Sequence, residues 1–399
     1  MNLRTDPAAN VLKTGPAYAI IFTVAFCHLL NDMMQALVPA IYPLLKEAYH
    51  LDFGQIGLIT FCFQMTASVL QPIIGAITDK RPSPRSIAAS MGFTFVGLLL
   101  VSQAGSFEII LMAVAMIGVG SAIFHPEASR VARLASGGRY GFAQSVFQVG
   151  GNAGSALGPL MAAVVVLSAG QASLLWFAGV ALVNMALLAR IGSWYRAHRI
   201  ARAQASGASA GISLTRRRIG FSLVVLTVLL FSKNFYMASM SSYLQFYLIE
   251  TFQVSVATAQ MYLFAFLGAV AIGTFAGGPL GDRIGRKYVI WFSILGVFPF
   301  TAALPFASLG WTLVLIVLIG LILASAFSAI VVMGQELVPG RVGLVSGLFY
   351  GLSFGFGGIG AAVLGEIADQ TSIGFVYKLC SFLPLIGLLT AFLPNLRKR

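Results

Sequence analysis

Charge is what this chain has little of. Only 9% of its 399 residues are Asp, Glu, Lys or Arg, against roughly 25% in soluble domains. With 58% hydrophobic residues, a water-soluble fold is excluded and a polytopic membrane protein is the class that remains. Cysteine is scarce too. Cys27, Cys62 and Cys380 all fall inside apolar runs without motif spacing, which argues against disulfides and metal sites. Acidic residues number 12 against 25 basic ones, a net charge of +13. That excess does not point to nucleic acid, because the basic residues sit in short loops between apolar runs and so set topology. The period-2 alternation of membrane β-strands is absent. No Ser–His pair or paired metal-ligand spacing suggests an enzyme, and no cofactor motif is present. A cleavable signal pattern is missing as well: residues 1–16 are polar, and the apolar stretch after them is too long for a signal peptide.

What the chain does have is apolar runs long enough to cross a bilayer, about 20 residues each. Twelve are expected, near 17–45, 54–78, 86–105, 107–129, 141–168, 171–194, 219–249, 256–281, 288–308, 310–337, 342–368 and 372–394. All should be helices, since lipid offers backbone groups no other partner. Basic residues collect in alternate connections. Lys80, Arg81 and Arg85 lie between spans 2 and 3, and Arg130, Arg133 and Arg139 between spans 4 and 5. Arg196, Arg199, Arg202, Arg216, Arg217 and Arg218 lie between spans 6 and 7, and Arg283, Arg286 and Lys287 between spans 8 and 9. Arg397, Lys398 and Arg399 end the chain. Both termini are therefore expected in the cytoplasm. Residues 195–218 read as a basic linker that meets anionic lipid headgroups. It separates an N-terminal bundle, 1–194, from a C-terminal one, 219–399.

The two halves echo each other. Gly75-Ala-Ile-Thr-Asp79-Lys80-Arg81 follows span 2, and Gly278-Pro-Leu-Gly281-Asp282-Arg283-Ile-Gly285-Arg286-Lys287 follows span 8. The same offset carries Asn31 onto Asn234 and Glu47 onto Glu250. A duplicated hydrophobic half is the signature of a secondary transporter with its site between two bundles. The repeated loop resembles the signature loop of the major facilitator superfamily. The second copy matches nearly throughout; the first runs into Pro82 and Pro84. The resemblance implies an all-α fold of twelve transmembrane helices in two pseudo-symmetric six-helix bundles. It also implies a gate on the cytoplasmic side. Asp79 should face the start of span 11 near Arg341 and Gly343, and Asp282 the start of span 5 near Arg139 and Gly141. A carboxylate at a helix N-terminus is worth about 0.3–1 kcal/mol when exposed. Gly75, Gly278, Arg283, Arg286 and Lys287 complete the expected gating set. Gly150, Gly154, Gly158 and Pro159 place small residues on one face of span 5 and end in a bend. That face resembles the motif marking antiporters of the superfamily; ordinary close packing explains it equally well.

Polar groups inside the spans need a reason, because a charge at mid-helix costs about 2.5–3.5 kcal/mol on insertion scales. Span 1 carries His28, Asn31, Asp32 and Gln35, of which His28, Asp32 and Gln35 share one face. Span 4 ends in Phe124-His125-Pro126-Glu127, and Glu127 can pair with Arg130 at i, i+3. Span 7 carries Lys233, Asn234 and Tyr236. Asp32 is the first candidate for proton coupling, with His28 one turn away as relay and Glu127 as second candidate. A carboxylate's hold on a proton in such a place is set by desolvation and neighbouring cations acting in opposition. Asn31, Gln35, His125, Arg130, Lys233, Asn234 and Tyr236 are candidates for substrate binding. Many proton-driven exporters of the superfamily carry an Arg in span 4 where this chain has Val114, so the basic partner must come from elsewhere.

His28-Leu-Leu-Asn31-Asp32, Pro39-Ala-Ile-Tyr42-Pro43 and Phe124-His125-Pro126-Glu127-Ala128 resemble the fosmidomycin-resistance exporters of that superfamily. The resemblance implies efflux of an anionic drug or related metabolite against inward proton flow. It further implies a bacterial inner membrane, a monomer and no cofactor beyond the proton gradient. A sugar or organic-acid symporter, an intramembrane enzyme and a non-transporting sensor are the alternatives.

Overall fold

Twelve long helices run through the described residues, 15–51, 53–205 and 214–396, of the computed structural model, and no strand occurs among them. They are α1 (Tyr18–Ala40), α2 (Phe53–Lys80), α3 (Ser86–Ser102), α4 (Phe107–Ala135), α5 (Tyr140–Ala169) and α6 (Leu174–Ala205). After residue 213 come α7 (Arg216–Phe252), α8 (Val256–Ile284), α9 (Arg286–Phe306), α10 (Leu309–Leu337), α11 (Val342–Gln370) and α12 (Ile373–Phe392). Eleven are long and apolar enough to cross a membrane. The other, α3, has 17 residues, about 26 Å of helix, just under the ~30 Å hydrocarbon core. Phe264 and Phe306 are each 79% exposed, as suits side chains that face lipid rather than water.

Each expected span is present, with most ends moved by a few residues and that of span 6 by 11, from 194 to Ala205. Span 1 breaks after Ala40 into a short helix, Tyr42–Ala48, where Pro43 cannot supply the next helical N–H. The expected linker 195–218 is partly helical: α6 continues to Ala205, and α7 begins at Arg216, where the Thr215 side chain accepts from the Arg218 N–H. Residues 206–213 lie outside the described set. Helix α7, at 37 residues, is about 55 Å long, so its Arg-rich first turn extends beyond the apolar core. Gly285, at φ 104°, turns the chain from α8 into α9, a backbone region where a side chain is strained.

The chain packs as two units. The first holds α1 to α6 together with Pro339–Gly351, the opening of α11. The second holds α7 to α10, the remainder of α11, and α12. The start of α11 packs with the first unit. The reason is a small-residue face. Gly343, Gly347 and Gly351 stand at four-residue spacing, and a Cβ on any of them would meet Gly75, Gln71 or Ser68 backbone of α2. Helices approach this closely only where both surfaces are small.

In the first unit α1 lies along α5. A Cβ on Gly150 would strike the Ala25 carbonyl, one on Gly154 the Leu29 carbonyl, and one on Gly158 the Ala36 methyl. The glycine face of span 5 is thus the surface that admits α1, and Pro159 follows it near the end of the α-helical stretch Tyr140–Met161. The second unit has its own apolar core, with Tyr236, Met240, Leu244 and Tyr247 of α7 packed with Phe266, Ile316, Ile319 and Tyr377.

Candidate functional site

The close approach of α1 to α5 brings the polar face of α1 into the interior of the first unit. His28 and Asn31 are fully buried, and Asp32 and Gln35 nearly so. Helix α4 faces the same place with Ser121 and His125, one turn apart and both buried. His28 Nε2 lies 3.2 Å from Asp32 Oδ2 and 3.2 Å from His125 Nε2. His125 Nε2 lies 3.5 Å from Asp32 Oδ1. The ligand atoms of these three residues fall within 4.8 Å of one another, close enough for one cation, a proton or a metal ion, to serve all three.

Each group is held from behind. His28 Nδ1 lies 2.7 Å from the Phe147 carbonyl, and its ring stacks on the Phe147 ring at 4.0 Å. His125 Nδ1 lies 3.0 Å from the Ser121 carbonyl. Asn31 Nδ2 donates to Asp32 Oδ1 at 2.9 Å and Gln35 Nε2 to the same oxygen at 3.5 Å. Gly151 of α5 closes one side: a Cβ there would overlap the His28 ring and lie 2.8 Å from Asp32 Oδ2. Tyr350, at the opening of α11, has its ring 5.2 Å from that of His125. Its hydroxyl accepts from Gln144 Nε2 at 2.6 Å. A buried polar group without partners costs about 1–3 kcal/mol, so this dense set of contacts is what allows a carboxylate and two imidazoles to sit in an apolar bundle.

The sequence expectations divide here. Asp32 and His28 come together as anticipated. His125, Asn31 and Gln35, expected on substrate, are turned to Asp32 because α4 and α1 present those positions to the same interior point. Arg130, also expected on substrate, belongs to a second network. It forms an ion pair with Glu127 and donates to Asp79 Oδ1 at 2.6 Å and Thr78 Oγ1 at 3.1 Å. Asp79 in turn accepts from the Gly343 N–H at 2.9 Å and the Leu344 N–H at 2.8 Å. This is the carboxylate at the start of span 11 that the family resemblance implies, with Gly75 packed on the Gly343 carbonyl. Glu127 Oε2 is buried without a hydrogen-bond partner among the described residues.

Between the two networks runs a polar thread absent from the sequence expectations. Ser346 Oγ donates to Ser129 Oγ at 3.1 Å, Ser129 Oγ to Gln144 Oε1 at 2.9 Å, and Gln144 to Tyr350. The readable signal was Gln144, a polar residue near the start of an apolar, glycine-rich span. Arg139 precedes α5 and donates to the Tyr18 hydroxyl at 3.2 Å. Arg341 is exposed.

In the second unit, Asp282 accepts from Arg286 Nη2 at 2.9 Å, and Arg286 also lies 3.2 Å from Glu336. Lys287 Nζ donates to the Ala391 and Leu393 carbonyls at 2.9 and 2.6 Å, neutralising the carbonyl end of α12. Arg283 is exposed, and Gly278 is buried in α8. Lys233 is buried, with its Nζ 3.5 Å from Asn234 Oδ1 and 5.3 Å over the Phe327 ring. No ion pair involves it among the described residues. Asn234 Nδ2 donates to Ser353 Oγ at 3.1 Å. Tyr236, expected on substrate, is instead part of the apolar core, because it heads the α7 face that continues through Met240, Leu244 and Tyr247.

The comparisons with known proteins agree with this architecture. Residues 24–362 and 225–398 match the profile of the Major Facilitator Superfamily. The chain is 56% identical over 393 residues to the fosmidomycin resistance protein of Escherichia coli, covering 98% of this chain and 97% of that one. It is 41% identical to a Bacillus subtilis protein described as the uncharacterized MFS-type transporter YfnC, over 98% and 96% of the two chains. Among solved structures, the Escherichia coli fucose:proton symporter FucP superposes with a TM-score of 0.72 at 17% identity, over 94% of this chain and 98% of the other. The human organic anion transporter MFSD10 gives 0.72 at 18% identity, over 94% and 100%. Those two likenesses concern the fold. The matched profile and the full-length identity decide the family: this chain is a multi-pass membrane transporter of the Major Facilitator Superfamily.

Proposed function

We propose that the chain exports small anionic molecules of the fosmidomycin type from the bacterial cytoplasm, exchanging them for protons that move inward. The identity with the Escherichia coli resistance protein supports the substrate class. The observation that carries the reading is the pairing of two chemically different buried sites. Lys233 is a buried ammonium without an ion-pair partner among the described residues, a position that suits a bound anion. His28, Asp32 and His125 form a closed acceptor cluster that suits a proton. Glu127, tied to Arg130 and Asp79, links the same unit's gate to α4.

The protein works in the inner membrane as a monomer with both termini in the cytoplasm. The exposed Arg216, Arg217 and Arg218 meet anionic headgroups, each worth about 1 kcal/mol near such a surface. One charge crossing 100 mV releases about 2.3 kcal/mol, enough for a gradient above tenfold at about 1.4 kcal/mol per decade.

Everted membrane vesicles from expressing cells test this. Labelled fosmidomycin should accumulate when the lumen is acidified and should leave when the pH gradient collapses. Accumulation only in right-side-out vesicles under an inward proton gradient would make the chain a symporter. Binding without flux in either orientation would make it a sensor.

A further inference from the structure

We infer that the exchangeable proton is carried on an imidazole, at His28 Nε2, shared with His125, while Asp32 stays a carboxylate throughout; this rests on the proton-coupled reading above and specifies its site. The argument is a count of donors. A backbone carbonyl only accepts hydrogen bonds. His28 Nδ1 faces the Phe147 carbonyl at 2.7 Å and His125 Nδ1 faces the Ser121 carbonyl at 3.0 Å. The Ser121 hydroxyl also lies 3.3 Å from His125 Nδ1; it can accept as well as donate, whereas the nearer carbonyl can only accept, so both Nδ1 atoms carry hydrogen, and in a neutral ring the Nε2 atom is then a bare acceptor. The two Nε2 atoms nevertheless stand 3.2 Å apart, with the Asp32 oxygens at 3.2 and 3.5 Å. Without an additional proton, three acceptors would converge in an apolar interior.

One proton resolves the conflict, and the distances place it. His28 Nε2 is the atom 3.2 Å from both Asp32 Oδ2 and His125 Nε2, so a hydrogen there serves both neighbours. Asp32 Oδ1 already receives the Asn31 and Gln35 amides, the environment of an ionised carboxylate. The loaded cluster is an imidazolium–carboxylate pair of zero net charge; the unloaded cluster carries one negative charge. Other titratable groups facing it are few. Helix α11 contributes Tyr350; Glu127 and Arg130 of α4 belong to the Asp79 network and pair with each other; the α5 residues in contact, Phe147 and Gly151, carry none, and α6 meets the α1 backbone at Cys27 with the neutral amide of Asn184.

A metal ion is the competing occupant of the same lone pairs. It is disfavoured because Gly151 packs against the His28 ring and Asp32 with no space for even a methyl group. That leaves no room on this side for the further ligand a three-ligand metal site normally takes.

The test is infrared difference spectroscopy between acidic and alkaline buffer on full-length protein in lipid nanodiscs. A His50→Gln/His198→Gln background leaves His28 and His125 as the only histidines. With ring-labelled histidine, the expected spectrum contains imidazolium bands that shift with the label and vanish in His28→Asn. That variant keeps an amide donor for Phe147 but has no Nε2. His125→Asn should shift the same bands, and Asp32→Asn should remove no carboxyl carbonyl stretch. A protonated-carboxyl stretch that disappears in Asp32→Asn, without label-sensitive bands, would overturn the inference. So would no pH-dependent band at all, or one tightly bound transition-metal ion per chain that is lost in His125→Asn. Vesicle exchange judges the wider reading separately: wild-type protein without pH-driven flux defeats proton coupling, whatever the spectra show.

Discussion

Asp79→Asn isolates the cap on α11. In the wild-type protein the two carboxylate oxygens of Asp79 take the Gly343 and Leu344 N–H groups at 2.9 and 2.8 Å. Arg130 shares one of those oxygens. Asparagine keeps one acceptor oxygen but puts an NH2 where the other stood, so one of the two amides faces a donor. The helix end also loses the negative charge that its dipole favours, worth up to about 2 kcal/mol in partly buried geometry. A hydrogen bond to a charged group contributes about 1.5–3 kcal/mol, and Arg130 retains Glu127 as partner, which limits the damage on that side. Taken together, opening of the first turn of α11 should become easier by about 2–3 kcal/mol. At about 1.4 kcal/mol per decade, amide exchange there rises roughly 30- to 150-fold. Hydrogen–deuterium exchange with mass spectrometry over peptides spanning 340–350 reads this directly, with α3 peptides as internal reference. Unchanged exchange at Gly343 and Leu344 would show that the Asp79 contacts contribute nothing to holding α11, and the gate reasoning would fall with them.

Gly151→Ala should abolish pH-driven exchange, since its methyl would overlap His28 and crowd Asp32; Gly179→Ala, where the space is open, should transport normally, and equal activity of both variants would count against the cluster. Lys233→Ala should weaken anionic substrates more than neutral ones in a binding titration, whereas equal losses would remove the anion role. Lys287→Met should lower the thermal midpoint, by about 1–3 kcal/mol of lost charged hydrogen bonding to the Ala391 and Leu393 carbonyls; an unaltered midpoint would show that water serves those carbonyls equally well. Gly154→Val should reduce folded protein sharply, because its side chain would press on the Leu29 carbonyl and Met33 amide; fluorescence size-exclusion profiles of the expressed protein provide the check.

The spans were legible because hydropathy is written in contiguous runs, and lipid permits helices alone as open spanning elements. The Asp79 contact was legible because the loop motif carries the family resemblance, and the architecture of that family sets Asp79 opposite the start of span 11. The polar face of α1 was legible too, since His28, Asp32 and Gln35 repeat at helical spacing. Its completion by His125 was not: 97 residues separate the two histidines, and no local pattern says which way α4 turns. The same limit misdirected Arg130, whose neighbour Glu127 was visible but whose partner Asp79 lies 51 residues away. Tyr236 shows a different limit. A tyrosine beside Lys233 and Asn234 looks polar in one dimension, yet its register with Met240 and Leu244 turns it into the core. The Gly343, Gly347 and Gly351 series carried as clear a small-residue signal as the face of α5 and marked the start of α11 as a close-packing surface, though not its partner α2.

That opening segment of α11 is a mechanical shaft. Gly343 and Tyr350 lie on the same stretch of helix, about 10 Å apart along its axis. The Asp79 carboxylate grips one end through the Gly343 amide. The other end rests on the His125 ring and on Gln144. A hydrogen-bonded helix transmits rotation without stretching, so a turn or shift at the tyrosine is delivered to the glycine within the same motion. The Asp79 contact and the His28–Asp32–His125 cluster of this unit are thereby geared together, and on the function proposed above neither is reset while the other stands still.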